Sequence, residues 1–157
     1  MKPTYFDLTV RDLGGARAGR PERQMKMATL AIRWQRLLDE GGRTCPRCRG
    51  TQAEAEKAVR DLSRALKPLG IRVRPEWRAL TWRAFKRNPA ASNRIWVGGK
   101  PLERWVGGRT DQSPCCGACG DSDCRTMTVG GRSHEVIPSR LIVSAGLLAA
   151  ALMLKKG

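Results

Sequence analysis

The chain has 157 residues, with 30 Lys+Arg against 14 Asp+Glu, a formal charge of +16, one His and six Cys. That length suits one domain with at most a tail, and 41% hydrophobic with 28% charged residues excludes a disordered, collagen-like or coiled-coil chain. A chain of this size can bury a core without disulfide staples, so the cysteines ask for a chemical explanation.

Residues 1–27 are rich in Gly, Arg and Pro, as in Gly19-Arg20-Pro21, and are expected to form a flexible basic N-terminal tail before a domain over 28–157. Met25 and Met27 stand just ahead of the first regular element and offer later starts. Leu30, Ile32 and Trp34 then alternate with Ala31, Arg33 and Gln35, the pattern of a half-buried strand over 29–36. Asp39-Glu40-Gly41-Gly42 reads as a loop leading to Cys45-Pro46-Arg47-Cys48. Thr51 and Glu54 have capping-box spacing and predict a helix over 52–67, with Ala55, Val59, Leu62, Leu66 and Leu69 as its apolar stripe.

Residues 71–74 predict a second strand, ended by Pro75, and Thr81 caps a short helix through Trp82, Phe85 and Arg87. Residues 94–97 form a third strand, turned at Gly98-Gly99. A cysteine-rich loop from Asp111 to Asp123 lies within an expected insertion at 109–126, and 126–129 pairs with 133–137 as a hairpin around Gly130-Gly131. The apolar run 141–154 spans about 21 Å as a helix, short of the ~30 Å hydrocarbon core, so a fully buried helix opened by Pro138 is expected. The order of elements is that of an α/β protein whose first crossover is a βαβ unit.

The charge suggests an anionic partner, but its 22 Arg and 8 Lys are spread along the chain, and no uninterrupted basic run is longer than the two residues of Lys155-Lys156. Four Trp neighbour an Arg (Arg33-Trp34, Trp77-Arg78, Trp82-Arg83, Arg104-Trp105), an arrangement that serves either base stacking or core packing with the cations turned outward. No apolar run of the roughly 7–15 residues of a secretory signal occurs in 1–27, so a cytoplasmic location with reduced thiols and no membrane contact is expected.

Two cysteine motifs carry the chemistry. In Cys45-Pro46-Arg47-Cys48 the two-residue spacer lets both sulfurs share a disulfide or a metal. Arg43, Arg47 and Arg49, with the helix that follows, are expected to lower the thiol pKa. In the redox form Cys45 attacks and Cys48 resolves, with no cofactor required. The second motif, Cys115-Cys116-Gly-Ala-Cys119-Gly-Asp-Ser-Asp-Cys124, suits zinc or another soft metal, with Cys116, Cys119 and Cys124 preferred over Cys115 because adjacent cysteines are poor co-ligands. Cys45, Cys48, Cys116 and Cys119 together also form a zinc-ribbon ligand set, although their knuckles lie far beyond the usual spacing of some 15–20 residues. The lone His134 reads as a polar strand residue, and no phosphate-binding loop is present.

The chain resembles an uncharacterised family of small bacterial proteins grouped with the thioredoxin-like superfamily. The resemblance rests on Ile32-Arg-Trp-Gln-Arg-Leu-Leu-Asp-Glu-Gly-Gly-Arg-Thr-Cys45-Pro-Arg-Cys48, on Ser92-Asn-Arg-Ile-Trp-Val-Gly-Gly-Lys-Pro-Leu-Glu103 and on Ser113-Pro-Cys-Cys-Gly-Ala-Cys-Gly-Asp-Ser-Asp-Cys-Arg-Thr126. It implies a thioredoxin-like three-layer fold and little about activity. The superfamily usually places a cis-proline before the strand facing the Cys-x-x-Cys; here that place reads Ser92-Asn93-Arg94, with Pro89 three residues too early. The expected function is therefore a thioredoxin-like thiol protein, acting by disulfide exchange as an oxidoreductase or by thiol-dependent handling of a soft metal. The alternative is a zinc-stabilised basic module that contacts nucleic acid or an acidic partner.

Overall fold

The computed structural model describes residues 27–115 and 119–156. The tail expected over 1–27 therefore falls, apart from Met27, outside the described residues, as does Cys116. The described chain is mixed α/β: a four-stranded sheet, a three-stranded sheet and four α-helices.

The first sheet has the order β2-β1-β3-β4. β1 (Ala28–Leu37) runs parallel to β2 (Ile71–Leu80), in register from Ala28 opposite Ile71 to Leu37 opposite Leu80. The connection between them is α1 (Pro46–Leu66), which makes the expected βαβ unit. β3 (Arg94–Val97) is antiparallel to β1, and β4 (Lys100–Pro101) is antiparallel to β3. The alternation read in β1 is observed: Leu30, Ile32 and Trp34 are buried between half-buried neighbours. β2 continues through Pro75 instead of ending there. It lies at the edge of the sheet, where a missing N–H costs no ladder bond.

Thr81 caps α2 (Trp82–Arg87) as expected, its hydroxyl accepting from Ala84 N at 3.2 Å. A short α3 (Leu102–Val106), which the sequence reading did not include, follows β4. The segment read as loop from Asp111 is strand at its two ends, over Asp111–Pro114 and at Asp123. β5 (Arg109–Pro114), β6 (Asp123–Val129) and β7 (Arg132–His134) form the second, antiparallel sheet, so only the residues between Pro114 and Asp123 connect β5 to β6.

α4 (Ser139–Leu154) closes the chain. It is one-sided rather than fully buried: Leu141, Ile142, Ala145, Gly146, Ala149 and Ala150 face inward, while Leu147, Leu148, Leu152 and Leu154 are each close to half exposed. Its inner face packs on α1, where Gly146 admits Leu62 so closely that a Cβ would lie 2.4 Å from Leu62 Cδ1. No helix among the described residues is long and apolar enough to cross a membrane.

The tryptophans mostly serve packing. Trp34 is fully buried with Trp77 edge-on at 6.0 Å, and Trp105 donates to Val97 O at 2.9 Å. Several cations fold back over the rings, Arg36 onto Trp34 at 4.9 Å and Lys100 onto Trp105 at 4.2 Å. Trp82 is the exposed one, at 46%, and stacks on Phe85.

Candidate functional site

The end of β1 turns sharply back toward the helix. Asp39 N donates to Arg43 O at 2.8 Å, Gly42 N donates to Asp39 O at 2.9 Å, and Gly42 takes a φ of 73° that favours glycine. This turn delivers Cys45 as the N-cap of α1, with Pro46 in the first turn, where its fixed φ suits a helix start. The helix therefore begins before the Cys-x-x-Cys is complete, not at Thr51. Cys45 O accepts from Arg49 N at 2.9 Å, and Cys48 sits in the first turn, 2% exposed.

Thr51 and Glu54 have a different task from the one their spacing predicts. Buried Thr51 accepts through Oγ1 from Ile137 N at 3.1 Å, and Glu54 Oε2 accepts from Ser139 N at 2.6 Å. The pair thus supplies acceptors to the start of α4, not to its own helix. This bond, with its backbone donor, holds the Glu54 carboxyl below the usual carboxylate range.

The β5–β6 hairpin brings the second motif to the same place. Ser113 pairs with Cys124, so Cys115, Cys119 and Cys124 converge at the end of the hairpin. The sulfurs of Cys45, Cys115, Cys119 and Cys124 all lie within 4.8 Å of one another, and the group could hold a metal ion. Cys45, Cys119 and Cys124 are buried and Cys115 is half-buried. Four sulfurs at about 2.3 Å from one ion in a tetrahedron would stand about 3.8 Å apart, so the group is near that size already. Cys124 Sγ donates to Cys119 Sγ at 3.4 Å. The two motifs thus meet, as the ribbon set of Cys45, Cys48, Cys116 and Cys119 supposed, but among the described residues the group takes Cys115 and Cys124 and leaves Cys48 out.

The thiols around Cys45 are shifted in opposite directions. Hydrogen bonds from Cys124 first, and then Cys48, push the Cys45 thiol far below its ordinary range. The donors shift the opposite way: Cys124 and Cys48 are raised chiefly by their bonds to Cys45, then by burial. Cys119 is pushed up to about 12, burial being the main cause. These shifts favour the thiolate on Cys45 over Cys119 and Cys124; a soft cation bound there would favour deprotonation of the sulfurs that ligate it.

Two of the three arginines expected to tune Cys45 are engaged with other partners. Arg43 is bound to Asp39 through its backbone N at 2.8 Å and its Nε at 3.0 Å. Arg49 is exposed on α1. Arg47 reaches across to the hairpin, donating to Ser113 Oγ at 2.8 Å, Pro114 O at 2.8 Å and Glu135 Oε1 at 2.7 Å. His134 is half-buried in β7, and burial, followed by Arg140 and Arg132, lowers its pKa.

Sequence reasoning missed the residues that frame Cys48. Ser92 Oγ lies 3.8 Å from Cys48 Sγ and accepts from Leu37 N at 3.0 Å. Asn93, at a φ of 53°, accepts from Trp34 Nε1 at 3.3 Å and donates to Glu135 O at 3.1 Å. Both occupy the place where a proline was looked for, and nothing local in the sequence marks a serine there as a thiol partner.

A family model covers residues 30–146 of this chain. The chain belongs to the family described as Domain of unknown function (DUF2703). Within the family's span lie every described cysteine and Arg47. An uncharacterised protein of the archaeon Archaeoglobus fulgidus is 43% identical over 113 residues, covering 72% of this chain and 82% of that protein. No solved structure matches.

Proposed function

We propose that this protein binds a soft metal ion through Cys45, Cys115, Cys119 and Cys124, on a thioredoxin-like framework. The observation that carries the reading is the position of Cys45: its sulfur lies within 4.8 Å of three cysteines more than sixty residues away, in a group that does not include Cys48. An all-thiolate, four-sulfur set favours zinc, cuprous copper or an iron–sulfur unit. A closed set of four ligands leaves no open position for substrate, which favours holding the metal over catalysis by it. The thioredoxin-like part is supported by the sheet order β2-β1-β3-β4, with β1 and β2 parallel and a Cys-x-x-Cys on the first turn of the helix after β1.

The deciding experiment is native mass spectrometry of anaerobically purified protein, with thiols counted before and after chelation. One metal-derived mass increment per chain is expected, lost on chelation with release of four protected thiols. Cys48→Ser keeps the increment, whereas Cys45→Ser and Cys124→Ser weaken or lose it. A metal-free reduced protein, or binding indifferent to Cys45 and Cys124, overturns the reading.

A second reading, disulfide exchange, draws on the same N-cap. Cys45 has a depressed pKa and a hydrogen bond to Cys48, the arrangement an attacking and a resolving thiol need. Its signature is rapid reduction of a peptide disulfide by metal-free protein, abolished in Cys48→Ser.

A further inference from the structure

Among the described residues, Cys48 is the cysteine outside the four-sulfur group. It is 2% exposed, three residues beyond Cys45 on the same helical turn, and hydrogen-bonded to Cys45. Its sulfur also lies 3.8 Å from Ser92 Oγ, within hydrogen-bond reach for a thiol. Cys45 is therefore shared: its sulfur stands in the metal-sized group and is also hydrogen-bonded to the Cys48 thiol, its Cys-x-x-Cys partner. It cannot serve both at once, because a disulfide sulfur carries no charge to give a cation.

Access to this pair is narrow. Between the Asp39–Arg43 turn and the sulfurs of Cys45, Cys48 and Cys119 lies a cavity of about 40 Å³. That is room for a few atoms, a water or a hydrogen peroxide molecule, and too little for an organic disulfide such as oxidised glutathione.

We propose that Cys48 makes metal retention peroxide-sensitive, by capturing oxidised Cys45 as a disulfide and so withdrawing one ligand; this rests on the metal-binding reading above. The Cys45 thiolate attacks hydrogen peroxide: an S–O bond forms, the O–O bond breaks, and hydroxide leaves with the electron pair. The sulfur, oxidised by two electrons, is now a sulfenic acid. The Cys48 thiol attacks it; the S–S bond forms, the S–O bond breaks, and the oxygen departs as water with the Cys48 proton. Peroxide has become hydroxide and water, and the metal retains three protein sulfurs instead of four. A dithiol reductant reverses the disulfide and restores the site.

The test uses the full chain, reduced and loaded with zinc, treated with stoichiometric hydrogen peroxide while a chromogenic chelator reports released metal. Disulfides are mapped afterwards by mass spectrometry. Wild-type protein is expected to release zinc with formation of a Cys45–Cys48 disulfide and to rebind it after dithiothreitol. Oxidised glutathione at the same concentration is expected to release it at least tenfold more slowly. Cys48→Ser, with Cys48→Ala as the alternative should serine in that buried place impair folding, is expected to bind zinc with unchanged stoichiometry. Either variant should release it at least tenfold more slowly and leave Cys45 as the sulfenic acid, the one-equivalent product, trapped with dimedone. Release at the wild-type rate from these variants, or a disulfide confined to Cys115, Cys119 and Cys124, overturns the inference while leaving metal binding intact. Reduced wild-type protein that takes up no zinc, copper or iron overturns the metal reading itself.

Discussion

Arg47 Nη1 donates to Ser113 Oγ at 2.8 Å, joining the first turn of α1 to the end of β5 across 66 residues of sequence. Its other terminal nitrogen reaches Pro114 O at 2.8 Å and Glu135 Oε1 at 2.7 Å. Pro114 immediately precedes Cys115, so the guanidinium fixes the distance between the helix that carries Cys45 and the strand that delivers Cys115. A single charged fork with several fixed directions is suited to this, whereas a lysine offers one point of charge. Arg47→Met is expected to weaken metal affinity roughly 10–100-fold, the usual effect of removing a group that orients a ligand, and Arg47→Lys to recover only part of it. Competition titration against a chelator measures this. In a Cys115→Ser background the Arg47→Met loss should shrink toward nothing; an undiminished loss there would show that Arg47 acts on stability alone.

Arg125, beside Cys124, makes the corresponding clamp from the other side of the hairpin. It is 4% exposed, ion-paired with Glu103, and donates to Ala90 O at 2.8 Å and Thr110 Oγ1 at 2.6 Å. Removing one member of such a buried pair leaves the other charge without compensation, at a cost of about 3–5 kcal/mol. Arg125→Met is expected to show that loss in urea unfolding of the reduced, metal-free protein. Adding Glu103→Leu should return much of it, because the stranded carboxylate is then gone. If the double variant is no better than the single one, the cost lies in the lost contacts to Ala90 and Thr110.

The distinction between local and long-range partners explains what could be read in the sequence. Leu30, Ile32 and Trp34 declare β1 by alternation, and Thr81 declares α2 through a bond three residues away. Thr51 and Glu54 have a spacing that fits a local cap, yet their partners are Ile137 and Ser139, more than eighty residues on. The same limit applies to the two cysteine motifs, whose joint ribbon set was expected to include Cys48. Each was visible, but their union depends on the β5–β6 register and on the Asp39–Arg43 turn, neither of which leaves a periodic trace. α4 was read as fully buried because its apolar residues surround it, and composition does not say that only one side meets a neighbour.

The Glu54–Ser139 bond gives a pH signature. Glu54 is held below its ordinary value, first by the backbone N–H of Ser139, at the positive end of α4. A group depressed in the folded state adds stability that is present above its unfolded pKa, near 4.5, and is lost as pH falls through the lower folded value. Charged caps of this kind contribute on the order of 1 kcal/mol. Glu54→Gln is expected to cost about that much at pH 7 and progressively less below pH 4.5, so the two unfolding curves converge in acid. Parallel curves from pH 7 to pH 3 would show that the carboxylate charge plays no part.

Gly146 tests the seat of α4 on α1. On an isolated helix, Gly→Ala would stabilise by about 1 kcal/mol. Here the added Cβ would stand 2.4 Å from Leu62 Cδ1 and 2.8 Å from Cδ2, and Leu62 is itself fully buried with nowhere to turn. Overpacking of a tight core costs about 1–3 kcal/mol, so the clash outweighs the propensity gain and Gly146→Ala is expected to be net destabilising. Gly50 supplies the contrast: a Cβ there meets Val136 at 2.8 Å, but Val136 is 38% exposed and can swing into solvent. Gly50→Ala should therefore be near neutral or stabilising in the same urea series. Combining Gly146→Ala with Leu62→Val, which withdraws the colliding carbon, should recover part of the loss. A Gly146→Ala protein as stable as wild type would mean that α4 lies farther from α1 than Leu62 indicates.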